Sequence, residues 1–350
     1  MLAALSGGGD SLALLLLLRR FLDRHAPGLH LLAVTVDHGL RPDSAAEAAA
    51  AGELAVQLGV SHQILRWEGE KPRTGLMAGA REARFRLLAK AAQAQGARLV
   101  FTGHTADDQA ETVAMRAARA DQGPGLSGMA PLALLDARIW IARPLLGVRG
   151  AALRALLARE NLSWIEDPSN ENPFFERVRV RQGLSEVEKL AWLDRAEQAG
   201  FSRAALGRQA AGLIAAHAAR PEPGLVRLDP GFLDAQEGEA ALWAFRLLLA
   251  CVGGRTHPPD ALRAEKLLAR LRAGPARASL GGAVVGSARD AVLLRPERRG
   301  GREAARAMSP APFAHLLPLF DVALARALGK LFGAPNIPAP PCRGPLWPDA

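Results

Sequence analysis

Residues 2–24 read LAALSGGGDSLALLLLLRRFLDR, a glycine-rich hexapeptide set between two apolar runs. Leu2 to Leu5 is a short apolar run with strand character, and Ser11 to Arg24 carries a helical pattern. Between them lies Ser6-Gly7-Gly8-Gly9-Asp10-Ser11. Consecutive glycines let a backbone approach a ligand closely, and several amide N–H groups can then converge on one oxyanion. The helix that follows adds the positive end of its dipole. Ser6 and Ser11 offer hydroxyls to phosphate oxygens. Asp10 is an acid inside an anion site, which is explained if a Mg²⁺ ion bridges its carboxylate to phosphates. The structural alternative is a Gly-rich turn in which Asp10 or Ser11 caps the helix. The loop has neither the Gly-Lys-Ser/Thr ending of a Walker A loop nor the G-x-G-x-x-G spacing of a dinucleotide fold.

Outward from the loop, strand and helix patterns alternate. His30 to Val36 (HLLAVTV), Ser61 to Trp67, Arg98 to Thr102 (RLVFT) and Ile139 to Ala142 (IWIA) read as strands. Ala45 to Leu58, Leu76 to Gln95 and Thr105 to Ala118 read as helices, with Ser44 and Glu47 spaced as a capping box. Such alternation implies right-handed βαβ units and an α/β, Rossmann-like parallel sheet covered on both faces. Past residue 150 the chain is mainly helical: Arg149 to Glu160, Ser185 to Ala218, Glu237 to Cys251 and Pro259 to Leu271. Ala278 to Leu294 reads as a hairpin, and the end from Pro335 is Pro-rich and extended. Four regions are expected: residues 1–185 as the nucleotide-binding domain, 186–230 as a helical linker, 231–333 as a basic C-terminal region, and 334–350 as a tail.

Composition narrows the function classes. The 350 residues carry a net charge of +9, which points either to a polyanionic partner such as nucleic acid or to an evenly spread Arg-rich composition. Cys251 and Cys342 form no Cys-x-x-Cys pair, which argues against a disulfide framework, a zinc knuckle or an iron–sulfur site. Leu12 to Leu18 follows an acid and precedes Arg19-Arg20, the reverse of a secretory signal, so the expectation is a cytoplasmic protein with no membrane association.

SGGGDS resembles the SGGxDS loop of the PP-loop ATP pyrophosphatases, and four further segments narrow the likeness to the tRNA(Ile)-lysidine synthetases. They are Val36-Asp37-His38-Gly39-Leu40-Arg41, then Ala80-Arg81-Glu82-Ala83-Arg84-Phe85, then the run GHTADDQAET at Gly103–Thr112, and finally Asp167-Pro168-Ser169-Asn170 followed by Arg177, Arg179 and Arg181. They occur in the family's order over roughly residues 1–185. The family's pattern ends in Tyr where Phe85 stands, and the chain has no tyrosine; it places Asn where Val178 stands. The resemblance implies that ATP adenylates the C2 oxygen of the wobble cytidine of tRNA(Ile), after which free L-lysine displaces AMP to give lysidine. It implies a ligase with ATP and Mg²⁺, tRNA(Ile) and lysine as partners, and no protein partner beyond a second copy of the chain.

Each constellation has a functional and a structural account. Asp37, at the carboxyl end of a parallel strand, contacts the nucleotide or its metal, or opens the loop as an Asx turn; His38 is equally a packing residue. Arg81 and Arg84 share a helix face and either neutralise phosphates or form a solvated basic surface; the resemblance favours function for Arg84. Asp108 and Glu111 also share a face, and with Asp107 they either suit a cationic amine or serve the helix N-terminus, where Thr105 and Asp108 have capping-box spacing. The resemblance favours lysine binding by Asp108 and Glu111, with Asp37, Arg84 and Asp108 catalytic. Arg177, Arg179 and Arg181 alternate, which places them on one side of an extended segment to hold tRNA backbone or ATP phosphates. Arg203, Arg208, Arg272, Arg277, Arg298 and Arg299 are further RNA candidates, with Trp164 and Trp192 as stacking or core residues. The rivals are another PP-loop enzyme that adenylates a tRNA or a small molecule, and a non-catalytic RNA-binding protein. A thiolase would need cysteines near the loop, and an amidating enzyme a glutaminase domain; neither is present in the sequence.

Overall fold

The computed structural model describes residues 1–72, 74–119, 123–166, 172–236, 238–297, 316–333 and 337–341. Two compact units divide the chain, Met1–Gly200 and Phe201–Ala350. Asp167-Pro168-Ser169-Asn170, Arg298, Arg299, Cys342 and most of the Pro-rich end lie outside the described residues.

In the first unit the strands are β1 (Leu2–Ala4), β2 (Leu32–Asp37), β3 (Ser61–Arg66), β4 (Leu99–Phe101), β5 (Leu132–Leu135) and β6 (Ile139–Ala142). The helices are α1 (Gly9–His25), α2 (Ser44–Gln57), α3 (Leu76–Ala94), α4 (Ala106–Ala118), α5 (Gly150–Arg159), α6 (Glu176–Gly183) and α7 (Glu186–His217), the last running across the division between units. The strands lie in the order β5-β6-β4-β1-β2-β3. β1 pairs in parallel with β2 (Leu2↔Leu32, Ala4↔Val34) and with β4 (Leu2↔Val100, Ala3↔Phe101). The chain therefore turns to opposite sides of β1, and in an open α/β sheet the ligand crevice forms at such a reversal, beyond the carboxyl ends of the strands. Ser6–Ser11 and Gly103–Thr105 both leave the sheet there.

The leucine run in α1 is explained by its surroundings. Leu15 and Leu22 pack with Ala3, Ala33, Ala51 and Ala55 on one side, while Leu12, Leu14 and Leu16 pack with Leu153 and Leu157 on the other. A helix buried on both flanks is apolar nearly all round. Each fully buried Leu contributes roughly 1.5–3 kcal/mol. Among the described residues no helix is long and apolar enough to cross a membrane.

Three local expectations need correction. β5 was not anticipated; it pairs antiparallel with β6 through a turn in which Asp136 and Ala137 take φ of 49° and 54°. Ser44 and Glu47 form no capping box: the N-cap of α2 is Asp43, Glu47 bonds Arg41, and the Ser44 hydroxyl serves Asp37. Arg177, Arg179 and Arg181 lie on a helix, not an extended segment. A spacing of two puts neighbours on opposite helix faces, whereas 177 and 181 are one turn apart.

The second unit contains β7 (Ala218–Glu222), β8 (Leu225–Leu228), β9 (Arg277–Leu280), β10 (Ala283–Ala288), β11 (Ala291–Pro296) and β12 (Leu316–Pro318). It also contains α8 (Pro230–Asp234), α9 (Gly238–Val252), α10 (Ala261–Ala273) and α11 (Val322–Phe332). β7-β8-β11-β10-β9 form an antiparallel sheet over a core centred on Phe232, Phe245, Leu248 and Leu294. The expected hairpin is the β10–β11 pair, with β9 added through Gly281-Gly282, both at positive φ. Ala196, on the first half of α7, joins Val113 and Leu126, whereas Ala210 and Ile214 join the core of the second unit.

Candidate active site

The Ser6–Ser11 loop is held in shape by its own polar groups. The Ser6 amide donates to Ser11 Oγ at 3.1 Å, the two Ser hydroxyls are 3.0 Å apart, and Ser11 Oγ donates to the Gly8 carbonyl at 2.9 Å. Both hydroxyls, expected to meet phosphate, are thus engaged within the loop. Gly8 is the N-cap of α1 and makes no side-chain capping bond, so neither Asp10 nor Ser11 caps this helix. The Ser11 amide donates to the Gly8 carbonyl at 3.1 Å, which leaves the Gly9 and Asp10 amides of the first turn for an anion. Gly7 takes φ +82°, and a Cβ there would lie 2.5 Å from Ile165 Cδ1. A Cβ on Gly103 would lie 2.9 Å from the Asp10 carbonyl oxygen, which measures how tightly the β4 end backs the loop.

Next to the loop is a cavity of about 530 Å³ whose walls carry Arg81, Arg84, Arg154, Arg177 and Arg181 beside Asp10, Asp108 and His104. Burial, then the charge of Arg81, lowers the Arg84 guanidinium to about 10, which still leaves it cationic at neutral pH. Asp10 Oδ1 is buried without a hydrogen-bond partner. Burial, then the Asp108 carboxylate, raises the pKa of Asp10, with Arg154 acting the other way. Trp164 lines this cavity, its ring 3.5 Å from the space above Gly9, and is also partly packed against the α1–α5 core. Trp192 packs beside Val113 and Leu126.

A second cavity of about 800 Å³ shares Ser6, Arg81 and Arg84 with the first and is walled by Leu5, Val34, Val36, Ala80 and Phe85. Asp37 lies on its edge. Its Oδ1 accepts the Gly39 amide at 2.8 Å, the Asx turn weighed above. Burial raises the Asp37 pKa, but hydrogen bonds from Ser44 and Gly39 and the charge of Arg66 outweigh it and hold the carboxyl below its ordinary value. His38 packs edge-on against Trp67, with ring centroids 6.1 Å apart.

The acids of α4 and the arginines of α6 meet each other. Glu111, fully buried at 0% exposure, accepts Arg177 Nε at 2.7 Å and Arg181 Nε at 2.6 Å. Asp108 Oδ1 accepts Arg177 Nη2 at 2.7 Å. Its Oδ2 accepts the Thr105 amide at 2.8 Å, completing the capping box of α4. Arg179 points elsewhere, donating to the Pro173 and Phe174 carbonyls. Asp107 Oδ2 accepts the Gly150 amide at 2.8 Å at the start of α5, and its Oδ1 meets Arg149 at 2.8 Å. A third cavity of about 300 Å³ opens among the starts of α4, α5 and α7, reaching Asp10, Asp108, Glu111, Arg154, Arg181 and Lys189. Arg149, Arg154 and Lys189 were not anticipated, since the acids that draw them to this cavity, Asp107 and Asp10, stand tens of residues away. The one local signal was Gly150 directly after Arg149, at the start of a helix.

His104 Nδ1 lies 2.9 Å from Thr102 Oγ1. Burial, then the charges of Arg143, Arg84, Arg81 and Arg177, push its pKa down to about 2, so the ring is neutral at working pH. In the unfolded chain the same ring binds a proton near pH 6.5. Because the folded value is depressed, stability is full above that pH and falls as pH drops below it, by about 1.4 kcal/mol per unit. His104→Gln is expected to lose that dependence, giving a flatter stability profile between pH 6.5 and 5 in urea titrations.

In the second unit, Arg203 is tied to buried Asp321 at 2.5 Å and Arg272 donates to the Leu233 carbonyl at 2.9 Å. Arg208 and Arg277 are exposed.

A glycine loop between a central parallel strand and an uncapped helix, facing a cationic cavity, defines a PP-loop nucleotide-binding unit, and a family profile described as PP-loop domain matches residues 1–188. The chain is 50% identical over 316 residues to a tRNA(Ile)-lysidine synthase of Mesorhizobium japonicum, covering 87% of this chain and 69% of that one. It is 40% identical to the enzyme of that name from Hyphomonas neptunium over 84% and 80% of the two chains, and 39% identical to that of a Bradyrhizobium strain over 85% and 91%. The chain belongs to the tRNA(Ile)-lysidine synthase family.

Proposed function

We propose that the chain carries out its family's reaction, ATP-dependent ligation of lysine to C2 of the wobble cytidine of tRNA(Ile), with the labour divided among the three cavities. The observation that carries this is the uncapped start of α1 under Gly7–Gly9, turned toward a cavity lined by arginines. Amides of the loop and Arg84 hold the ATP phosphates there, and the adjoining apolar cavity takes the adenosine, with Asp37 on its edge. The cytidine C2 oxygen attacks the α-phosphorus and pyrophosphate leaves. The ε-amine of lysine then attacks C2, AMP departs with its oxygen, and the amine gives up its proton. A C2 oxygen is a poor leaving group and an AMP ester a good one, so cavities that hold phosphates and amine side by side suit both steps. Donors aimed at charge that develops in such a step are worth roughly 10²–10³ in rate.

Asp10 fits a Mg²⁺ ion: its Oδ1 is buried and unpartnered, and Mg²⁺ characteristically takes one or two carboxylates plus phosphate oxygens and waters. The ion would supply charge neutralisation on the leaving pyrophosphate. Among the described residues there is no cluster of three His, Cys, Asp or Glu side chains that could hold a metal. Asp108 and Glu111, at the 300 Å³ cavity, are assigned to lysine, with Arg177 and Arg181 as the cations that position them. tRNA contacts are assigned to the exposed Arg179, Arg208 and Arg277, and the tRNA substrate puts the enzyme in the cytoplasm.

The test is release of AMP and pyrophosphate, followed by mass analysis of the tRNA. Release is expected only with tRNA(Ile), and the lysidine mass only when lysine is added. ATP turnover unaffected by omission of tRNA would remove this assignment in favour of a small-molecule-adenylating relative.

A further inference from the structure

In the third cavity a carboxylate is already bound, and it belongs to the protein. Glu186, the first residue of α7, stands 69% exposed, yet its carboxylate bridges two cations: Oε2 to Arg149 Nη2 at 2.5 Å and Oε1 to Lys189 Nζ at 2.7 Å. Those cations are the more enclosed partners, Arg149 at 30% and Lys189 at 15%. Arg149 Nε is also buried without a hydrogen-bond partner, next to the Nη2 that holds Glu186. Arginine binds carboxylates best through two parallel N–H donors, whereas here Nη2 alone meets both Asp107 and Glu186. Both cations also approach Asp107, Arg149 at 2.8 Å and Lys189 at 3.8 Å, which fixes them to the starts of α4 and α5. The cavity carries two sets of paired charges, the acids Asp108 and Glu111 with Arg177 and Arg181, and the cations Arg149 and Lys189 with Asp107 and Glu186. A free amino acid with a cationic side chain carries both complementary charges.

We propose that Arg149 and Lys189 bind the α-carboxylate of the free amino acid substrate, and that Glu186 occupies this place until the substrate displaces it. This rests on the assignment of the amine to the 300 Å³ cavity. It makes the enzyme selective for a free amino acid over a diamine. Glu186 is a competitor tethered at the mouth: being exposed and at a helix start, it can swing into water at little cost.

The experiment compares lysine with cadaverine, which keeps the amine and lacks the carboxylate, in steady-state lysidine-type ligation by the full chain. The wild type is expected to need at least tenfold more cadaverine than lysine, the scale of one charge-assisted hydrogen bond. Lys189→Met is expected to raise KM for lysine about tenfold and KM for cadaverine by a much smaller factor. Glu186→Gln is expected to lower KM for lysine alone. A purely structural role would move both amines together, so equal changes for the two, or equal use of both by the wild type, overturn the proposal. Arg149→Lys separates folding from binding: it keeps the charge near Asp107, and a selective loss for lysine at unchanged melting temperature supports the assignment. Should Glu111→Gln leave KM for both amines at the wild-type value, the amine lies outside this cavity, and the proposal falls with that assignment rather than through the carboxylate.

Discussion

Asp10→Asn is expected to melt at or above the wild-type temperature while losing tRNA-dependent AMP release by about 10²–10³-fold. The two halves of this result have one cause. The Asp10 carboxylate is held half-buried at the head of α1 with Oδ1 unpartnered, and burial and Asp108 raise its pKa. A carboxyl whose pKa is raised by folding costs stability once pH exceeds its ordinary value, so removing the charge relieves the folded state at neutral pH. What it removes in function, on the proposed reading, is the anchor for a cation on the phosphates. The variant should also need more Mg²⁺ for half-maximal rate. Differential scanning calorimetry and a Mg²⁺ titration of AMP release check the two halves. An Asn variant with wild-type rate and wild-type Mg²⁺ dependence would show that Asp10 holds no metal.

The second large effect is expected at Glu111. Glu111→Ala removes the buried anion shared by Arg177 and Arg181, leaving Asp108 as the carboxylate within 4 Å of both among the described residues. Breaking a buried pair from one side costs about 3–5 kcal/mol. Here the arginines are 37% and 42% exposed, so water recovers part of this, and a loss of about 2–3 kcal/mol is expected in urea denaturation. Adding Arg181→Met should recover part of the loss, since the double variant no longer strands that charge. Lysidine formation should fall in the single variant beyond what stability explains, because α6 loses its attachment to α4 and the amine loses a carboxylate. Additive losses in the double variant would mean that the pair does not interact as the geometry has it.

The nucleotide loop was legible because its signal is local: glycines between an apolar strand and an apolar helix leave few alternatives. The parallel sheet was legible for the same reason, in the alternation of LAAL, LAVTV and LVF with Ala- and Leu-rich helices. α6 was not. Val178 and Val180 alternate with the arginines as in a strand, and only the distant Glu111 reveals that 177 and 181 must share a face. Ser44 was misread through a similar gap, its capping pattern being overridden by the Asp37 carboxylate on the neighbouring strand. The ring of Asp107, Arg149, Glu186 and Lys189 spans three helix starts, and no window of sequence contains it. Local propensity thus located the glycine loop at the head of α1, while charge pairing across the fold, which local patterns do not encode, built the cluster at the starts of α4, α5 and α7.

On the proposed reading, backbone amides from Gly7 to Asp10 grip the pyrophosphate of ATP at the start of α1. A crystal structure with a non-hydrolysable ATP analogue and Mg²⁺ tests it most directly. Phosphate oxygens are expected within hydrogen-bonding distance of those amides, with the base in the apolar cavity beside Val34 and Phe85. Phosphates bound elsewhere, with the glycine turn bare, would contradict it.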